Sequence, residues 1–265
     1  MTTIGFIGGG KMAEAIIKGL LSSKIVEPHD ICAFDIAGSR LNQLFKAFRI
    51  SADLKDNQQV LANSQTVILA VKPQDMDTVL AGLEISADKL VISIAAGITL
   101  AYLEKKFPGL PVVRVMPNNP ALVQAGISAI AAGKNAKREH LEQAKKIFGA
   151  VGQVVEVDEK LMDAITGLSG SGPAFVYLVI EALAKAGEDL GIDKKEAEKL
   201  AIGTVMGAAQ TMLQTGKSAS ELREMVASPG GTTIAGLKVL EEKKFFAALV
   251  EAVKAAAERS KKLSK

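Results

Sequence analysis

Few side chains in this sequence are equipped for chemistry, and their scarcity narrows what that chemistry is. There are two histidines and one cysteine in 265 residues. His29 follows Pro28 in a turn, and His140 falls on the polar face of a helical pattern, so neither is placed as a general base. Cys32 alone allows no internal disulfide and no cysteine metal cluster, and no Cys/His/carboxylate group has metal spacing. Two glycine-rich turns remain. The first, Ile7-Gly8-Gly9-Gly10-Lys11-Met12-Ala13, fits G-x-G-x-x-A with Gly8, Gly10 and Ala13 as its fixed points. Gly8 allows a sharp reversal, bare Gly10 lets a pyrophosphate approach, and small Ala13 lets a helix lie against the preceding strand. A Gly-rich turn can also bind nothing, but this one follows an apolar run and opens a helical pattern at Met12, Ala15, Ile16 and Leu20. The second turn is Ser228-Pro229-Gly230-Gly231-Thr232-Thr233, feeding a helix through Leu237 and Leu240. A helix start of this kind offers free N–H groups to a carboxylate, and equally reads as a plain cap with Thr232 or Thr233 at the N-cap. A dinucleotide site with neither base nor metal points to simple hydride transfer.

The elements that must hold these turns follow from the periodicity. A strand over Ile31 to Asp35 ends in an acid 25 positions after Gly10, near the spacing at which a carboxylate meets the adenosine ribose hydroxyls. Asp35 also suits a helix N-cap, and Arg40, one turn on, suits a 2′-phosphate, so NADH and NADPH both stay open. A brief strand near Ile50 and a helix around Val60 and Leu61 come next. The run Thr66 to Val71 reads as a strand buried on both faces, halted by Lys72-Pro73. Ligands of open α/β sheets bind beyond the carboxyl ends of strands, which puts Ala70, Val71, Lys72 and Pro73 beside the cofactor; Lys72 is equally a plain surface charge. Leu90 to Ile94 ends in small Ala95-Ala96-Gly97, where a ring can lie close. Val112 to Met116 ends in the rigid polar loop Pro117-Asn118-Asn119-Pro120. Strands at Ile127–Ala131 and Val154–Val157 flank a helix from Arg138 to Phe148. The alternation predicts a doubly wound Rossmann-type domain over 1–158 and an all-helical domain over 159–265, with helices across Leu161–Leu190 and Lys195–Leu213. Ala201, Gly203, Gly207 and Ala208 make one side of the latter small enough for close helix approach, within the chain or across a dimer. The 32 basic and 29 acidic residues are evenly spread, which argues against nucleic acid, and the Lys-rich tail after Arg259 reads as a solvated helix end. A strand at the N-terminus, no apolar run of membrane-spanning length and a single cysteine together predict a cytoplasmic protein.

Four stretches together resemble the pyrroline-5-carboxylate reductase family. They are Phe6 to Ala13, Leu69-Ala70-Val71-Lys72-Pro73, Thr166 to Ala174 (Thr-Gly-Leu-Ser-Gly-Ser-Gly-Pro-Ala), and Val226 to Leu237 with its Ser-Pro-Gly-Gly-Thr-Thr core. The likeness runs the whole length, in order. It implies reduction of 1-pyrroline-5-carboxylate to L-proline with NADPH or NADH. It also implies a homodimer of intertwined helical domains with active sites shared between subunits, and in some members a decamer. Ile7, Gly8, Gly9, Gly10, Lys11, Met12, Asn57, Ala70 to Pro73 and Ile94, Ala95 and Ala96 match the family's cofactor contacts. Ser228, Gly230, Gly231, Thr232 and Thr233 match its substrate loop, and Thr233 matches the threonine that hydrogen-bonds the ring nitrogen. Asp35 departs from NADPH-preferring members, which often lack an acid there, and Thr232 stands where relatives often have alanine. Two other readings share parts of the plan. A non-catalytic dinucleotide-binding regulator would have lost the hydroxyl loop, and a 3-hydroxy-acid dehydrogenase would need a lysine beside Ser169 and Ser171.

Overall fold

Short apolar segments build the first unit. Ile4–Ile7 (β1), Ile31–Phe34 (β2), Thr66–Leu69 (β3), Leu90–Ser93 (β4), Val112–Met116 (β5), Gly126–Ala132 (β6) and Gly152–Glu156 (β7) form one sheet in the order β2-β1-β3-β4-β5-β6-β7. The computed structural model describes residues 3–86 and 89–264. β1 to β5 run parallel, whereas β6 is antiparallel to β5 and carries a parallel β7 at the edge. Every residue of β1, β3 and β4 is buried, as a parallel sheet covered on both faces requires. The predicted strand near Ile50 reduces to one bridge between Cys32 and Ser51.

The helices of this unit are α1 (Lys11–Ser22), α2 (Gly38–Phe48), α3 (Asn57–Asn63), α4 (Met76–Leu80), α5 (Leu100–Lys106), α6 (Arg138–Gly149) and α7 (Met162–Ile165), the last running into a π-helical turn at Thr166–Gly170. Ile16, Ile17, Leu20, Leu44, Ile147 and Phe148 from α1, α2 and α6 fill one face of the sheet. Leu61, Met76, Leu103 and Phe107 fill the other.

The second unit is wholly helical, with α8 (Gly172–Asp189), α9 (Lys194–Thr215), α10 (Ala219–Met225), α11 (Thr232–Glu242) and the first part of α12 (Phe245–Leu263). The four-residue connection 190–193 makes α8 and α9 neighbours, and Ala197 and Ala201 of α9 are buried there. A Cβ on Gly187 of α8 would lie 3.1 Å from that of Ala197, so the close approach needs the small residues. α10 is an element the sequence reading did not include; its signal is the capping box of Ser218 and Glu221.

Three expectations change. Strands stop after Glu156 as anticipated, but the first compact unit continues through Ser171 and also takes in the chain from Ala255 onward. The tail is therefore not a solvated helix end. Lys261 and Lys262 are exposed, but Ser260 is buried and donates to Asp163 Oδ1 at 2.7 Å, Ser264 Oγ donates to the same oxygen at 3.2 Å, and the Leu263 carbonyl lies against Gly97. Finally, the helical stretch Glu159–Asp189 is long and apolar enough to cross a bilayer by length and composition, which corrects the expectation that no such run exists.

Candidate nucleotide and substrate sites

The parallel register lines up the carboxyl ends of β1 to β4, pairing Ile7 with Phe34 and Leu69, and Leu69 with Ser93. The predicted cofactor residues leave the sheet at this edge. Gly8 has φ +97°, and a Cβ there would come within 2.7 Å of the Ala70 carbonyl, so only glycine fits between the β1 and β3 exits. Gly10 is the N-cap of α1, is exposed and has nothing within 4 Å of a built Cβ. No side chain caps α1. Its first N–H groups therefore meet open space with the positive end of the helix dipole behind them, a cradle that fits a pyrophosphate. Ala13 is fully buried against the strand, as its size predicts. Lys11 is exposed and pairs with Glu14 at 3.3 Å; Met12 is half-buried. Ala70, Val71, Pro73, Ile94 and Asn57 are half-buried, Ala95 is buried, and Lys72 and Ala96 are exposed. Asn57 opens α3, whose N-cap Asp56 accepts from Gln59 N–H.

Asp35 lies one residue past the end of β2. Its carboxylate accepts from Gly9 N–H at 2.7 Å and from Ala37 N–H at 2.9 Å, so it fastens the glycine turn to the β2 exit and leaves lone pairs for a ribose. It is not the N-cap of α2, which is Ala37. Arg40 lies over the same turn. Its Nε donates to the Gly9 carbonyl, and its terminal nitrogens donate to Glu14 and Gln43 and, at 3.4 Å, to the Gly10 carbonyl. The Arg40 hydrogen bond holds the Glu14 carboxyl below the usual carboxylate range. A Cβ on Gly9 would come within 3.0 Å of the Leu44 side chain and make ordinary contact with Asp35 and Arg40. Sequence reasoning missed Ile36, an isoleucine 94% exposed beside Asp35. An apolar side chain so placed suits the face of an adenine. Asn118, also buried at this edge, accepts from Ile127 N–H at 2.9 Å, which orients its amide nitrogen toward Ser169 Oγ at 3.5 Å.

The hydroxyl loop belongs to the second unit. Ser228 to Gly231 close a turn through Gly231 N–H to the Ser228 carbonyl at 2.9 Å, with Gly230 in the left-handed region at φ +73°. A Cβ on Gly231 would strike the Ser228 hydroxyl at 2.5 Å, so the loop folds back tightly before α11. The N-cap of α11 is Gly231, and no side chain caps it. Thr232 and Thr233 are thus the first helical residues and not the cap, and the initial N–H groups of an eleven-residue helix are left for an anion. Ser228, Gly230 and Thr232 are exposed; Gly231 and Thr233 are half-buried.

A parallel sheet whose glycine turn opens α1 toward open space, followed by a helical unit with its own uncapped helix start, fits a two-domain NAD(P)-dependent oxidoreductase. Residues 3–97 match a family model described as NADP oxidoreductase, coenzyme F420-dependent, and residues 159–263 match pyrroline-5-carboxylate reductase dimerisation. The chain is 48% identical over 263 residues to a pyrroline-5-carboxylate reductase of Synechocystis, covering 99% of this chain and 98% of that one. It is 49% identical over 265 residues to one from Methanosarcina acetivorans, with the same coverage of each. Among solved structures it resembles the enzyme of Coxiella burnetii (TM-score 0.91, 38% identity, covering 100% of this chain and 99% of that one). It also resembles the Plasmodium falciparum enzyme with NADP bound (TM-score 0.90, 30% identity, 100% and 98%). The chain belongs to the pyrroline-5-carboxylate reductase family.

Proposed function

We propose that this protein reduces 1-pyrroline-5-carboxylate to L-proline at the expense of NADH or NADPH. The observation that carries the reading is that one chain holds both a glycine cradle open at Gly10 and an uncapped α11 start bearing Thr233. The first N–H groups of α1, the Asp35 carboxylate and the edge from Ala70 to Pro73 and Ile94 to Ala96 would hold the dinucleotide, which supplies the hydride when bound. The substrate is a cyclic imine with a carboxylate. The free N–H groups of Thr232 and Thr233, with the Ser228 hydroxyl beside them, anchor that carboxylate at the positive end of α11. Attack at the imine carbon sends an electron pair to nitrogen, so the protonated iminium is the better electrophile. The Thr233 hydroxyl donates toward that nitrogen and stabilises it as the pair arrives, while positioning supplies much of the remaining acceleration.

The dimerisation segment makes self-association part of the family plan. A homodimer is supported by the large apolar side chains exposed on α8, α9 and α12, among them Leu178, Leu200, Met206, Leu213 and Phe246. The same need for a partner surface accounts for the apolar stretch Glu159–Asp189, and the reading extends to a cytoplasmic enzyme whose dimers assemble further into a decamer. In the test, purified protein is given each reduced cofactor with and without the cyclic imine. Oxidation is expected only with the imine. No consumption in a folded sample that binds nucleotide would favour the regulator reading instead.

A further inference from the structure

Arg40 stands where a cation would meet the 2′-phosphate of NADPH, yet most of its donors are committed elsewhere. A guanidinium has five N–H groups. Four of them are used, to the Gly9 carbonyl, the Gly10 carbonyl, Glu14 and Gln43, leaving one Nη1 N–H, and the side chain is only 16% exposed. Its charge is matched by the Glu14 carboxylate. A peptide unit is planar and trans, so turning the Gly9 carbonyl toward Arg40 sends the Gly10 N–H to the opposite side. Asp35 grips the other end of the same residue through Gly9 N–H. The two side chains thus hold Gly9 between them, and a Cβ there would meet the end of Leu44 at 3.0 Å.

Taking the nucleotide site as assigned above, we propose that Arg40 is a positioning residue that fixes the glycine turn, and that the site consequently selects NADH over NADPH. To turn its fork to a 2′-phosphate, Arg40 must give up its hold on the Gly9 and Gly10 carbonyls and leave Glu14 to exposed Lys11 alone. The phosphate would then sit among the carboxylates of Asp35 and Glu14, a like-charge arrangement that disfavours it. The ribose hydroxyls of NADH need only the free lone pairs of Asp35.

The test is direct titration of the full-length protein with NADH and with NADPH, without imine, followed by nicotinamide fluorescence. Because no turnover is read, the result stands apart from whether the imine is the substrate. The wild type is expected to bind NADH about fivefold or more tightly than NADPH. Arg40→Met should weaken both nucleotides by about tenfold and leave their ratio within about twofold, because it removes the clamp. Arg40→Lys keeps the cation but not the fork, and should also lose both. A wild type that prefers NADPH overturns the proposal. So does an Arg40→Met loss confined to NADPH, or an Arg40→Lys variant that keeps NADPH binding intact. If Arg40→Met does not fold, the lysine variant decides alone.

Discussion

At Thr233 a structural role and a catalytic role predict opposite signs. The residue lies inside α11, whose cap is Gly231, so removing its hydroxyl costs the helix no cap. Alanine is the better helix former by roughly 0.5 kcal/mol, so Thr233→Ala should leave the melting temperature unchanged or slightly raised. Activity should fall by about 1.5–3 kcal/mol of transition-state stabilisation, or roughly ten- to a hundredfold in kcat/KM, while Thr233→Ser keeps the donor and most of the activity. Equal kcat/KM for the two variants would mean that the ring nitrogen is served by water. If Asp35 meets the ribose as proposed, Asp35→Ser should shift the kcat/KM ratio toward NADPH; an unchanged ratio would reduce Asp35 to a clasp on Gly9 and Ala37. Glu14 adds a pH dependence. Its pKa is depressed in the fold, chiefly by the Arg40 hydrogen bond, so its contribution is fully present above the ordinary value of 4.5. It is lost as pH falls through the lower folded value, and Glu14→Gln should flatten that acid limb in a melting-temperature series. Residue types at this scale were legible where spacing carries meaning, as at Gly8, Gly10 and Asp35. Arg40's hold on Gly9 was not, because it joins positions 31 apart in the sequence through a turn geometry no periodicity encodes.

The elements divide their glycines by a criterion a variant can expose. Gly8 needs its positive φ and the room beside the Ala70 carbonyl, so Gly8→Ala forces both a left-handed alanine, costing about 1–2 kcal/mol, and a backbone shift. Gly10 has φ −63° and empty space where a methyl would go. Gly10→Ala should therefore melt within a degree or two of wild type yet bind nucleotide at least about tenfold more weakly, because the methyl occupies the pyrophosphate's approach. A melting temperature that falls as far in Gly10→Ala as in Gly8→Ala would show that the turn, not the ligand, requires both. Strands and helices of the first unit were readable from sequence because a sheet buried on both faces demands unbroken apolar runs, and those runs fall at β1, β3 and β4. The reversed direction of β6 was not readable. Gly126 to Ala132 pairs antiparallel with β5 and parallel with β7 on the strength of loop geometry, while its apolar content is the same in either direction.

For the whole molecule, the sequence showed where strands end but not which parts cohere. The end of α12 belongs to the first unit, where Ser260 and, just past the helix, Ser264 both reach Asp163, about a hundred residues earlier, and two serines among lysines give no hydrophobic signal to announce it. The helices of the second unit pose the complementary problem. α9 spends its small residues Ala197 and Ala201 on α8, yet Leu200, Met206 and Leu213 remain exposed, and Gly203 is open to solvent. A lone chain gains nothing by exposing them, whereas a second copy would bury them at roughly 25 cal/mol per Å² of apolar surface. Leu200→Glu together with Met206→Glu changes only exposed positions and should leave each chain folded, with helical circular dichroism near that of wild type. A charge pair set into an apolar contact loses the burial and adds a desolvation cost, so the assembly should dissociate at micromolar concentration. If the homodimer is the working unit, light scattering should give twice the chain mass or a multiple of it for the wild type, and the single chain mass for the double variant. Imine-dependent oxidation should fall with the loss of assembly, because the hydroxyl loop is exposed in the single chain and the partner is expected to help enclose it. A wild type that is monomeric and fully active would overturn the dimeric reading, as would a monomeric double variant that keeps full kcat/KM.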